Sequence, residues 1–203
     1  EMASLYGTII GRDGRARHQN VILAPMVNIV RVPQGGRNFE TLGEDPFLAG
    51  RMVAAEVGGI QHSGLIATVK HFAFNDQETD RRLADVQIDG RGARQSDLLA
   101  FEIGIRDSNV QSVMCAYNLV NGSYSCENAP LLNGVLKSDW GFKGFVMSDW
   151  SATHSTAAAA PAGLDQEMPA STWFGSSLKT AVQTGQVPQS RLEQLLRVDL
   201  RAV

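Results

Sequence analysis

The side chains with chemistry to offer sit where apolar runs end. LIATVKHFAF (65–74) carries Lys70-His71 and is followed by Asn75, Asp76, Gln77, Glu78, Asp80 and Arg81. VQSVMCAYN (110–118) ends in Tyr117-Asn118, and FKGFVMSDW (142–150) ends in Ser148-Asp149-Trp150. A carboxylate at a strand end can act as a nucleophile that splits one hard displacement into two. Lysine and arginine donate to oxygen-rich ligands, arginine through a rigid fork, and tryptophan offers a flat apolar face. A lysine at such a place also suits Schiff-base chemistry when burial or a neighbouring cation lowers its pKa. No metal is expected: of the four histidines (His18, His62, His71, His154) none is paired at helical ligand spacing, and His18 and His62 read as surface residues.

These ends meet only if the runs that carry them are strands of one sheet. The runs are near-continuous in apolar residues, as in strands buried on both faces of a parallel sheet. NVILAPMVNIV (20–30) and a weaker PAGLDQEM (161–168) add two more candidates. Helices are predicted between them. Asp45-Pro46 reads as an N-cap followed by proline at the first helical position, launching FLAGRMVAAEVGGIQHSG. A second helix starts near Ser96, and Ser190 with Glu193 forms a capping-box pattern ahead of Leu192, Leu195, Leu196 and Leu200. The Ala157–Ala160 run fits a helical turn or a crowded packing site. Alternating strands and helices imply an α/β fold with parallel strands. GRGARQ at Gly90 fails the last position of GxGxxG, and no phosphate-loop lysine motif exists. Polar residues at the ends of several strands instead favour a TIM (β/α)8 barrel, where all such ends face one mouth.

The composition narrows the partners. With 203 residues, 43% of them hydrophobic, the chain is long enough to bury a core, and no internal repeat or linker divides it. Its 18 Lys+Arg against 21 Asp+Glu give a net charge of −3 with no basic run, which argues against nucleic acid. Most arginines read as solvated loop charge. The most apolar run is broken by Pro25 and Asn28, so no membrane span is expected. The opening EMASLYGTII has neither a basic leader nor an apolar h-region, and localisation stays unassigned. Cys115 and Cys126 lack zinc-ligand spacing and read as small buried residues rather than a bridge or a nucleophile.

Five strings, GRNFETLGEDPFLAG (36–50), KHFAFNDQETDR (70–81), VMCAYNLVNG (113–122), LKSDWGFKGFVMSDW (136–150) and AGLDQEMP (162–169), together resemble the catalytic barrel domain of glycoside hydrolase family 3, β-glucosidase type. The resemblance implies a retaining glycosidase acting on β-linked glucosides or short oligosaccharides without cofactor. It makes Asp149 the nucleophile. It has Lys70 and His71 hydrogen-bond sugar hydroxyls beside the scissile bond, and the lysine's charge favours an ionised carboxylate. Arg37 and Arg81 match the family's sugar-binding arginines, each with an ion pair to a nearby acid such as Glu40 or Glu78 as the structural alternative. Tyr117 resembles a residue whose hydroxyl lies close to the nucleophile, while Met114 and Trp150 resemble the apolar wall. Glu44 and Asp45 look structural, and Asp165-Gln166-Glu167 is expected to buttress the last strand end. Adjacent strand residues point to opposite faces, so Lys70 and His71 line one pocket only if the backbone departs from regular strand geometry there.

A retaining enzyme also needs a proton donor roughly 5–5.5 Å from the nucleophile. In this family that glutamate usually comes from a second domain after the barrel, and an acid from the first strand end also has no counterpart here. An eight-stranded barrel typically needs ~250 residues, so the chain reads as a partial barrel domain over 1–203, lacking two opening strands and the acid/base domain. A missing domain or partner chain is then expected to supply the acid/base. The N-acetylglucosaminidase subgroup, with a KHFPGHG-like string where this chain has KHFAFND, is disfavoured. Two rivals remain: a non-catalytic fragment that binds sugar weakly, and a Schiff-base lyase using Lys70.

Overall fold

The computed structural model describes the backbone of residues 1–202 and the side chains of residues 1–198. The chain opens with α1 (Met2–Ala16), whose buried face is Gly7, Gly11 and Gly14. This face lies so close to α2 (Pro46–His62) that a Cβ on Gly7 would stand 2.1 Å from the Glu56 carbonyl oxygen. Asp45 caps α2 as expected, its side chain accepting from the Phe47 and Leu48 amides.

Between these helices, β1 (Val21–Ile22) is far shorter than the apolar run 20–30 suggests. Proline at 25 cannot donate to a ladder. The chain nevertheless runs on beside its neighbour, since Thr68 N donates to Ala24 O at 3.2 Å, Lys70 N to Pro25 O at 3.1 Å and Val27 N to Lys70 O at 2.6 Å. That neighbour is β2 (Ile66–Phe72), with six of seven residues buried. A long loop then leads through β3 (Asp85–Val86) to α3 (Gly90–Gln95), which Asp89 caps, so GRGARQ is a helix rather than a phosphate loop. The predicted second helix is α4 (Asp97–Ser108), ending at Asn109 in the left-handed region.

Next come β4 (Ser112–Cys115) and a hairpin of β5 (Leu119–Val120) and β6 (Ser123–Tyr124). The hairpin turns on Asn121 and Gly122, both at positive φ as a two-residue loop of this kind requires. A π-helix (Pro130–Asp139) precedes β7 (Phe145–Ser148), and α5 (Ala159–Ala162), α6 (Ser176–Gln183) and α7 (Gln189–Ala202) complete the chain. The alanine run is both a helical turn and a packing site, with Ala159 and Ala160 fully buried. The capping-box expectation fails: Arg191 N bonds Pro188 O, so α7 begins one residue before Ser190, which lies inside its first turn. Leu195 is buried and Leu196 exposed, while the Leu200 side chain lies outside the described residues.

The parallel sheet runs β1-β2-β4-β7, and a bridge from Met147 to Gln166 adds the expected fifth position. Its two faces bury different cores. Val69, Val113, Cys115 and Val146 face the helices with Val53, Val57, Phe101 and Ile105. On the other face Ile66, Met114, Phe145 and Met147 form a separate cluster, against which Val21, Leu23 and Met168 pack. Strands buried on both faces, helices on one side and side chains filling the other are the wall of a barrel. His18 and His62 are exposed, and among the described residues no helix is long and apolar enough to cross a membrane.

Candidate active site

Parallel pairing places Cys115 beside Ser148, which brings the loops after β4 and β7 together. Asp149 follows directly and is 8% exposed. Its amide donates to Cys115 O at 3.2 Å, and its Oδ1 accepts from Trp150 N at 2.7 Å. The 165–168 segment holds this strand end. Ser148 N donates to Gln166 O, Met168 N to Ser148 Oγ, and Asp165 Oδ2 accepts from Val146 N at 2.8 Å.

The end of β2 is irregular, as sequence reasoning requires. The Lys70–His71 and Phe72–Ala73 peptides are cis, and the register with β4 shifts between Val69 and Phe72. His71 Nε2 lies 3.5 Å from Asp149 Oδ2. Asn28 clamps the histidine from behind: its Oδ1 accepts from His71 N at 2.7 Å and its Nδ2 donates to His71 O at 3.0 Å. That orientation puts Oδ1 3.4 Å from Nδ1, while Arg37 Nη1 stands 3.3 Å from Nε2. An acceptor at one nitrogen and a donor at the other select the Nδ1–H tautomer. Burial, reinforced by Arg37, Lys70 and Arg81, holds the His71 pKa well below its ordinary value, so its contact with Asp149 is not an ion pair.

Two carboxylates organise the cations. Glu40 takes the fork of Arg37 through contacts of 3.0 and 2.9 Å and stands 3.8 Å from Lys70 Nζ. Glu78 accepts from Arg81 Nη1 at 2.7 Å and lies 3.8 Å from Arg37 Nη1. Both arginines therefore make the ion pairs considered above, and both pairs stand in the pocket with His71. The Arg37 hydrogen bonds lower the Glu40 pKa against the effect of burial. Burial lowers Lys70, with Arg37 adding to it and Glu40 opposing.

Tyr117 is 5% exposed, and Arg81 and Arg82 stand 4.5 and 4.8 Å from its ring centroid. Burial, then the charge of Asp149 and a hydrogen bond to it, push the tyrosine pKa up, so the phenol stays protonated and donates to the carboxylate. Trp150 is 38% exposed at the rim. Met114 pairs with Met147, two residues before Asp149, and packs with it, Ile66 and Phe145 inside the barrel. The structure thus gathers Arg37, Lys70, His71, Arg81, Tyr117 and Asp149, with Trp150 beside them and Met114 at the level of Met147.

Sequence reasoning overlooked Asn28 and Arg82 as parts of this arrangement. An asparagine inside an apolar run is the one local sign of Asn28; nothing local marks Arg82. The cysteines require a correction. Cys115 and Cys126 form a disulfide, with a Cα–Cα distance of 5.2 Å, because the Asn121-Gly122 hairpin folds the chain back after Tyr117. Among the described residues no group of three or more His, Cys, Asp or Glu is placed to hold a metal ion.

The family model for the glycosyl hydrolase family 3 N terminal domain matches residues 1–199. Beta-glucosidase B of Emericella nidulans is 44% identical over 199 residues, which make up 97% of this chain and 24% of that protein. The chain thus spans about a quarter of the length of the curated relatives it matches. Among solved structures, the β-glucosidase DesR from Streptomyces venezuelae in complex with D-glucose is 44% identical with a TM-score of 0.92, covering 97% of this chain and 27% of that one. A glycoside hydrolase family 3 β-glucosidase from Bifidobacterium adolescentis is 37% identical with a TM-score of 0.97, covering 100% of this chain and 30% of that one.

Proposed function

The chain belongs to glycoside hydrolase family 3, and on that premise we propose that it carries the nucleophilic half of a retaining β-glucosidase site, with Asp149 as the nucleophile. The observation that carries the reading is the setting of Asp149: one oxygen is held by the Trp150 amide, and the other lies 3.5 Å from a neutral histidine. Tyr117 donates to the same carboxylate. A carboxylate held at one oxygen by an amide, with the charges of Arg37 and Lys70 acting on it, is placed to attack an anomeric carbon and form a glycosyl-enzyme that water later hydrolyses.

Lys70, Arg37 and Arg81 supply donors for sugar hydroxyls, and His71 lines the same pocket. Trp150 offers its exposed face to the sugar or its leaving group, and Met114 fills the barrel interior at the level of Met147. The substrates are β-linked glucosides or short oligosaccharides.

The proton donor is assigned to a residue outside these 203 positions, in another domain or a partner chain. A general acid needs a raised pKa. Glu40 is instead held low by Arg37, and Glu78 is paired with Arg81 and Arg37. The test uses a substrate whose leaving group needs no acid, a dinitrophenyl β-glucoside, with an Asp149→Gly variant and azide. Azide occupying the vacated space attacks the anomeric carbon as dinitrophenolate departs, giving α-glucosyl azide. Formation of that product only in the variant is the expected result. No turnover by the parent chain and no glucosyl azide from the variant would overturn the assignment.

A further inference from the structure

Outside the pocket, two acids compete for one guanidinium. Asp97 opens α4 with a fully buried side chain, and its Oδ2 meets Arg31 Nη2. Asp76, in the loop after β2, meets Arg31 Nε through its own Oδ2 at 2.8 Å and hydrogen-bonds to the Asp97 carboxyl. Arg31 Nη2 also donates to Ser96 Oγ at 3.0 Å. The Oδ1 atoms of both acids are buried, and neither has a donor among the neighbouring side chains or amides. With both ionised, this buried site would hold one uncompensated negative charge and oppose two carboxylates at contact distance, an arrangement in which one acid retains its proton. A proton shared between the carboxyls removes the surplus charge and supplies the missing donor. The helix start at Asp97 favours negative charge there, which leaves the proton on Asp76.

The loop so fixed is the one that carries Arg81 and Arg82. Two residues after Asp76, Glu78 bonds back to Gly35 O at 3.0 Å and holds Arg81, which covers Tyr117. We propose that Asp97 is a positioning residue: sharing a proton with Asp76 against Arg31, it latches the Asn75–Arg82 loop onto the barrel, and loss of that proton loosens the loop. The latch concerns the loop's attachment and stands whether or not the glycosidase reading does.

The charged groups facing the pair are Arg31; across a cavity of about 540 Å³, Arg81 and Asp85; and, around a smaller cleft on the other side of Asp76, Arg37 and Glu78. Burial and Asp97 push Asp76 up to about 8, with Arg31 pulling the other way. A released, solvated aspartate titrates near ~3.9. A group raised in the closed state favours closure most below its free value and loses that contribution as pH rises through the raised one. The loop's opening constant therefore climbs up to roughly tenfold per pH unit between those limits and levels off above them.

Hydrogen exchange of the loop amides, corrected for intrinsic exchange, tests this on the whole chain from pH 5 to pH 8. The parent should show up to a roughly 100-fold rise in opening between pH 5 and 7. In Asp97→Asn the amide donates to Asp76 without a shared proton, and the rise should vanish. A flat parent profile, or the same slope in the variant, overturns the proposal. Should that variant not fold, carboxyl-labelled aspartate NMR on the parent decides: a carboxyl titrating near 8 is expected, and all aspartates titrating below 6 would overturn the latch.

Discussion

Replacing Asp165 by alanine should destabilise the fold far more than a typical substitution. Its carboxylate is fully buried and answers three donors: Lys137 Nζ at 2.8 and 3.0 Å, Arg191 Nη2 at 2.7 Å and Val146 N at 2.8 Å. Lys137 and Arg191 are themselves largely buried, their side chains 15% and 9% exposed. Removing the acid strands two cations and an amide, and breaking a buried pair this way costs about 3–5 kcal/mol. For a chain of this size each kcal/mol moves Tm by about 2–4 °C, so the expected fall is about 6–20 °C. The pH dependence carries a further signature. Burial lowers Lys137, Arg191 lowers it further, and Asp165 opposes both. Without Asp165 the lysine sheds its proton more easily when folded than when unfolded, so stability rises with pH and the deficit shrinks towards pH 10. Scanning calorimetry at pH 7 and pH 9.5 measures both effects. A fall of less than about 3 °C would refute the view that this triad braces β7 and α7.

Glu56, 4% exposed, is pushed up to about 7 by burial alone. A raised carboxyl favours the fold below its free value and loses that contribution as pH rises through the raised one. In urea unfolding the parent should thus lose about 3 kcal/mol more than Glu56→Gln between pH 4.5 and pH 7.5. The Cys115–Cys126 bridge spans a sequence separation of 11, so reduction should cost about 3 kcal/mol by the loop-entropy relation, read as a shift of the urea midpoint with and without a thiol reductant. Tyr117→Phe removes a hydrogen bond to a charged carboxylate worth about 1.5–3 kcal/mol. Its kcat/KM on an aryl glucoside should fall roughly 10- to 100-fold with the fold intact by circular dichroism.

What the sequence disclosed follows the range of the forces involved. Continuous apolar runs mark strands buried on two faces, so β2, β4 and β7 stand where they were expected, and Asp45-Pro46 marks α2 because capping is local. The irregular end of β2 was legible by geometry, since Lys70 and His71 share a pocket only off a regular strand. Long-range pairings were not legible. The disulfide depends on a hairpin returning Cys126 to β4, and Asn28 becomes a clamp only when its run lies beside His71. The close seam of α1 and α2 rests on glycines, whose absent side chains leave no periodic signal. Strand alternation sets Met114 on the barrel-interior face, opposite its neighbours Val113 and Cys115.

Covalent catalysis by this site requires that Asp149 itself form the bond to sugar. Incubating the protein with an activated 2-deoxy-2-fluoro β-glucoside slows breakdown of any glycosyl-enzyme, and peptide mass mapping locates the label. The expected result is a single fluoroglucosyl group on Asp149, absent from Asp149→Ala. A label on Glu40, Glu78 or any other residue of the parent chain would contradict it.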